Sequence, residues 1–329
     1  MMAGARKAAW LAGIAWLWLV TCAAGTQAPD ALLAAGRADD AISSLQSRVS
    51  TSPNDAAAYN LLCRAHYMLE DWDAGIKECE KAVSLDRYNS RFHLWLGRAY
   101  GEKAEHVNFW SAIRLAGKVR NELETAVRLD PDNADACTDL AEYYLEAPSF
   151  LGGGRDKAEA QAQQLMHLDA ARAYWVAGRL AEKRKDFRTA EGEYRKGIQA
   201  SNGSGNAWLS LAAFYRHVGR FSEMEEAIQH IRGGAVTKRD VLMDAAEMLV
   251  RSGRNSPAAV ELLRQYLASP TVEEGPAFQA HYLLGTLLEQ SGDRQAAAQE
   301  YRTALSMVSS YSLAQTALQR VNGKPASGG

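Results

Sequence analysis

Tyr174 and Trp208 stand 34 residues apart, and each opens the same order of large and small residues around a turn. One copy reads Tyr174, Ala177, Gly178 and Ala181, then Ala190, Tyr194 and Gly197. The next reads Trp208, Leu211, Ala212 and Tyr215, then Met224, Ile228 and Ile231. An earlier copy runs Tyr59, Leu62, Cys63, His66, Gly75, Cys79 and Ala82, and a later one runs His281, Leu284, Gly285, Leu288, Ala297, Tyr301 and Ala304. The turns between the halves are Glu70-Asp71, Lys185-Asp186, Gly219-Arg220 and Gly292-Asp293. Steps of three and four residues on both sides of a turn describe two amphipathic helices per repeat. Repetition at such a period requires stacked units, because one hairpin alone cannot bury its apolar face. Small residues at Gly97, Gly178, Ala212 and Gly285, met by Ala82, Ala126 and Ala304, let paired helices approach closely.

This order and spacing resemble the tetratricopeptide repeat, whose W-x2-L-G-x2-Y…A-x3-F…P pattern it follows in phase. The resemblance implies an all-α fold, a right-handed α-solenoid of antiparallel helix pairs, over residues 30–322. We divide it into a partial repeat at 30–55, then 56–89, a long 90–133, 134–170, 171–204, 205–237, a degenerate 238–276 and 278–311. That makes about eight hairpins, with a C-terminal capping helix at 311–322 and a disordered tail at 323–329. Pro131 closes a second helix, as the family's proline does. The extra residues of 90–133 lie within Gly101 to Lys118, where Phe109, Ile113 and Ala116 keep helical phase, so lengthened helices are expected. Pro148 and Gly152-Gly153-Gly154 demand a structured, non-helical loop. These two features together resemble a subset of extracytoplasmic bacterial tetratricopeptide proteins, including helpers of periplasmic-binding-protein transporters.

The N-terminus reads as an address. Arg6 and Lys7 precede an apolar run from Ala8 to Val20, and small residues follow it. That is the pattern of a secretory signal peptide over residues 1–25. The alternatives are an uncleaved membrane anchor or a lipoprotein joined through Cys22. Secretion places the protein in the periplasm, touching the membrane only through its N-terminus. Cys63 and Cys79 fall on facing helices of one hairpin, where an oxidising compartment could bridge them. We read them instead as buried free thiols.

The chain has 37 basic and 39 acidic residues and a formal net charge of −2. That balance argues against a nucleic-acid partner bound through bulk basic charge. No H-E-x-x-H, C-x-x-C or G-x-S-x-G occurs, so we assign no catalytic residue, no metal and no cofactor. His66, His93 and His281 occupy repeat core slots and are read as packed imidazoles. The pair Glu273-Glu274 is read as solvated surface. Gly152, Gly153, Gly154 and Lys157 form a candidate anion loop, weakened because no strand precedes it.

The remaining candidate is the concave face, lined in this family by the first helix of each hairpin. Down that face run Asn60, Arg64, Tyr67, Arg91, Leu94, Arg98, Thr138, Glu142, Leu145, Arg172, Trp175, Arg179, Leu209 and Arg216. The expectation is an arginine ladder, interrupted by Glu142, with Tyr67 and Trp175 as anchors for an acidic peptide. The alternative is that these arginines pair with neighbouring carboxylates. The reading is therefore a non-enzymatic interaction scaffold binding a protein or peptide partner. A transporter-associated module binding a small ligand or a solute-binding partner is the alternative.

Overall fold

The computed structural model describes residues 27–233, 240–269 and 271–323. The expected signal peptide, Cys22 and the tail beyond Gly323 lie outside the described residues. Among the latter, eight helix pairs follow one another. They are α1 (Pro29–Ala34) with α2 (Ala38–Thr51), α3 (Ala56–Met68) with α4 (Trp72–Leu85), and α5 (Ser90–Glu105) with α6 (Phe109–Leu129). Then come α7 (Ala134–Glu146) with α8 (Arg155–Leu168), α9 (Ala170–Lys183) with α10 (Phe187–Ala200), and α11 (Gly205–His217) with α12 (Phe221–Gly233). The array ends with α13 (Asp240–Arg251) and α14 (Ser256–Leu267), α15 (Ala277–Gln290) and α16 (Arg294–Met307), and the cap α17 (Ser312–Asn322).

Local chemistry sets each hairpin. The first residue of all four turns named above is left-handed: Glu70, Lys185, Gly219 and Gly292 have φ of 59°, 60°, 76° and 91°. In three of them the following aspartate caps the next helix. Asp71, Asp186 and Asp293 accept from the backbone N–H of Ala74, Thr189 and Ala296.

The closest crossings use the small residues singled out in the sequence. A Cβ on Gly178 would lie 2.7 Å from the Tyr194 ring, and one on Gly285 would lie 2.6 Å from the Tyr301 ring. Each tyrosine lies sixteen residues after its glycine and donates its hydroxyl to a glutamate one turn beyond that glycine, Glu182 or Glu289. The α3–α4 hairpin puts Cys63 and Cys79 into the same two slots, with the same separation of 16, and there they form a disulfide with Cα atoms 5.1 Å apart. This differs from the expected free thiols, because helices crossing this closely meet the separation a disulfide needs. Cys137 stays free and buried, its thiol pushed up to about 11 by burial.

The long third repeat lengthens both of its helices, to 16 and 21 residues. The loop between α7 and α8 is a 3-10 turn, Ser149–Leu151, followed by the three glycines. It is filled from within. The Gly152, Gly153 and Gly154 amides donate to the carbonyls of Ser149, Pro148 and Tyr144. Tyr143 Oη and Arg120 Nη1 both donate to the Leu151 carbonyl.

The two ends of the array meet. Leu32, Leu33, Ala38, Ala41, Ala65 and Met68 share one buried cluster with Phe278, Ala304, Val308 and Ala314. Gly36, at φ 70°, brings its backbone so close to Ala277 that a Cβ there would lie 2.7 Å from the Ala277 nitrogen. Thr271 Oγ1 donates to the Ala34 carbonyl, and Ser309 donates through its amide and hydroxyl to Asp39. The solenoid thus closes on itself, and the capping helix α17 contributes Ala314 to the junction.

Replacing Gly285 by valine forces Tyr301, which is fully buried, out of its slot and costs ~1–3 kcal/mol in denaturant unfolding. The control is Gly117→Ala. A Cβ there meets nothing within 4 Å, so the same measurement shows a gain of up to ~1 kcal/mol from helix propensity.

Candidate functional site

First helices pack against one another directly, α3 with α5, α7 with α9, α9 with α11 and α11 with α13. Among the described residues second helices make no comparable neighbour contacts, apart from α16 against α2 at the closure. First helices therefore form the inner wall, and closure turns the concave face into a lumen. Tyr311 reports on that interior. Burial raises its pKa, and so do Tyr282, Glu70 and Glu247, which come from different hairpins.

The arginines expected as a ladder do lie on this wall, but they are already paired. Arg64 forks onto Glu273, with Nε 2.7 Å from Oε1, and both side chains are 11% exposed. Arg98 meets Asp139 at 2.5 Å. Arg172 meets Asp135 at 2.6 Å and Asp169 at 3.2 Å. Arg179 meets Glu146 at 2.5 Å and lies over Trp175. Each of these four arginines reaches a carboxylate of the wall or of its own helix, so charge that spacing had left free is neutralised within the chain. Arg91 and Arg216 are exposed and carry no ion pair among the described residues.

Other expected positions also move. Asn60 is 3% exposed, and Leu94 and Leu145 are buried in the core, so none of the three faces a partner. Tyr67 spends its hydroxyl on Glu102 at 2.9 Å. Trp175 is half-buried beside a hollow lined by Arg172, Leu209, Asn206 and the hydroxyls of Thr138, Ser201 and Ser210. The candidate anion loop is corrected as well. Its three amides are occupied internally, and Lys157 Nζ donates to the Gly152 carbonyl at 2.9 Å. Glu273, read as solvated, has its side chain largely buried at the closure.

His93 is 7% exposed. It holds Glu122 at 2.6 Å and the Arg87 carbonyl at 3.0 Å, and the Glu122 contact raises its pKa. His281 holds Glu300 at 2.6 Å. Among the described residues no group of three or more His, Cys, Asp or Glu is placed to hold a metal ion.

Two acidic groups are left over, of which the sequence singled out only Glu142. Glu142 and Asp244 have no ion-pair partner among the described residues. Their side chains are reached by water, yet they are hemmed in by the wall. The Glu142 pKa is raised by loss of bulk solvent and by Asp139, Glu146 and Glu105, against the pull of Arg179. Asp244 is raised to about 7 by the same desolvation and by Asp240 and Glu247, with Arg251 opposing. The sequence marked Glu142 as an interruption of the ladder and gave no sign of Asp244. Both residues occupy helix positions that would face open solvent in an unclosed array.

Two measurements follow. Glu273→Ala strands the Arg64 guanidinium at the closure and costs ~3 kcal/mol. Glu146→Ala, in an exposed pair, costs under ~1 kcal/mol. Both are read from urea midpoints. Asp244 binds its proton more tightly folded than unfolded, so its contribution is complete below about pH 4 and is lost as pH rises towards 7. Asp244→Asn should therefore match the parent at pH 4 and exceed it at pH 8. Solvent reaches the group, so the gain is no more than about 1 kcal/mol.

A tetratricopeptide repeat family model matches residues 30–90 and 243–320, the two ends that meet at the closure. No curated protein matches the chain. Among solved structures, yeast Tom70 aligns with a TM-score of 0.53 at 14% identity, over 87% of this chain and 58% of the Tom70 chain. The chain thus spans a little over half of that protein. TTC0263, a thermophilic tetratricopeptide protein of Thermus thermophilus, aligns with a TM-score of 0.47 at 20% identity, over 56% of this chain and 96% of its own. The human IFIT1 dimer, solved with PPP-AAAA, aligns with a TM-score of 0.42 at 13% identity, over 83% of this chain and 69% of its own. The family model thus matches the two ends of the chain, and the likeness to Tom70 is one of fold.

Proposed function

We propose that the protein is a non-enzymatic interaction scaffold, acting outside the cytoplasm, that takes up a segment of a protein partner along its inner wall. Repeat arrays of this kind as a class mediate protein–protein contacts through their concave surfaces. The observation that carries the reading is the inner wall itself. Closure gathers successive first helices, with the half-buried Trp175 and Leu209 among their residues, around one interior. The partner segment is basic. Arg64, Arg98, Arg172 and Arg179 are neutralised by carboxylates of the chain, which leaves only Arg91 and Arg216, too few for a cation ladder, while Glu142 and Asp244 have no ion pair among the described residues. The Cys63–Cys79 disulfide supports an oxidising compartment, in keeping with a secretory N-terminus. The comparisons favour no transport role.

A photo-crosslinker at Trp175, on the inner wall, tests this against one at exposed Arg188, on the outer helix α10. The expected outcome is a crosslinked partner from Trp175 alone, with a lysine- or arginine-rich segment at the crosslink. A partner captured equally from both positions, or only from Arg188, overturns inner-wall capture. An acidic segment at Trp175 overturns the charge assignment.

A further inference from the structure

Where the ends of the array meet, they border a half-open cavity of about 300 Å³ with an aromatic side and a carboxylate side. Its aromatic side is Tyr67, Trp72 and Trp95. The Tyr67 ring stands edge-on to both tryptophans, with centroids 5.3 and 5.5 Å away. Its carboxylates come from opposite ends of the chain, Glu70 and Glu102 from the α3–α5 side and Glu274 from the segment before α15. Two guanidiniums also border it, and both are spent. Arg64 lies 5.3 Å from the Trp95 ring centre and is forked onto Glu273, while Arg98 lies 5.0 Å from the same ring and is held by Asp139. Glu70 and Glu274 have no ion pair among the described residues, and the sole side-chain hydrogen bond of Glu102 there is to the neutral Tyr67 hydroxyl.

Closing the array therefore brings uncompensated like charges together across the junction. Trp95 is buried and already carries both guanidiniums over its ring, so the aromatic surface open to a ligand is that of the half-buried Tyr67 and Trp72. With the carboxylate oxygens beside it, that surface makes the pairing that suits a cation on an apolar stem. We propose that this junction cavity is a binding site for an alkylammonium group. A compact, strongly hydrated metal ion would gain nothing from the aromatic side, whereas an alkylammonium packs its methylenes there and turns its N–H donors to the glutamates. Two sources share this chemistry: a free organic amine, or the lysine of a protein segment threaded along the inner wall. Only the second rests on the proposed function.

Titration of the purified full-length chain with n-butylammonium chloride, followed by tryptophan fluorescence, tests the site directly. The expected result is a saturable change in the millimolar range, absent with 1-pentanol and with sodium chloride at equal ionic strength. Glu102→Gln weakens it about fivefold. Glu274→Gln, at an exposed residue with no ion pair among the described residues, weakens it comparably and leaves the urea midpoint unchanged. An equal response to 1-pentanol overturns the proposal, as does a curve unchanged in both variants, or no saturation by about 100 mM. A lysine-containing peptide and its norleucine counterpart form the second arm. Tighter binding of the lysine peptide than of butylammonium assigns the site to a threaded segment. Butylammonium binding without peptide binding keeps the cavity site and counts against inner-wall capture alone.

Discussion

Gly178 under Tyr194, and Gly285 under Tyr301, set how near the two helices of a hairpin can come. With no side chain at the crossing the tyrosine lies flat across the partner helix, and its hydroxyl finds a glutamate one turn further along. Dispersion between closely packed surfaces falls off steeply with any gap, so this distance governs how well each hairpin is held. The α3–α4 hairpin reaches the same closeness by a covalent route, since Cys63 and Cys79 occupy the slots filled elsewhere by glycine and tyrosine. One geometric demand, a short crossing between positions sixteen residues apart, is thus met in two chemical ways.

The crossing also fixes how each hairpin leans on the next. A small rotation repeated through eight hairpins decides whether the array stays open or meets its own beginning. Here it meets, and the apolar ends of the array cover one another through Leu33, Met68, Phe278 and Val308. The junction also takes in charge. Arg64 and Glu273 lie 209 residues apart and become a largely buried, forked pair. Such a pair contributes less through net attraction than through the penalty for any arrangement that separates it, so it specifies one closed register.

Closure changes what the inner wall can do. Arginines that would compete for a ligand's carboxylate in an open groove sit beside Asp139, Asp135, Asp169 and Glu146, and their fields are cancelled locally. Glu142 and Asp244 receive no such partner. Surrounded by protein, they titrate higher than surface carboxylates while still touching water. On the reading proposed above, the acids left over make the interior better suited to cations than to carboxylates.

The helices, their pairing, the lengthened α5 and α6 and the loop at Pro148 were legible in the sequence. Each depends on residues a few positions apart: three and four along a helix face, a left-handed residue before an aspartate cap, sixteen across a crossing. That last spacing already held the signal for the disulfide, since Cys63 and Cys79 align with Gly178 and Tyr194, but a thiol's state depends on a distance no pattern prints. The candidate site was legible only in part. Spacing put Arg64, Arg98, Arg172 and Arg179 on the right wall, and it could not show that each faces a carboxylate across that wall. Nor could it place Glu273 beside Arg64 or leave Glu142 and Asp244 alone. Local hydrogen bonds and helix periodicity are short-range and are written residue by residue. Closure and the balance of interior charge come from the summed tilt of eight hairpins, and only the folded array decides them.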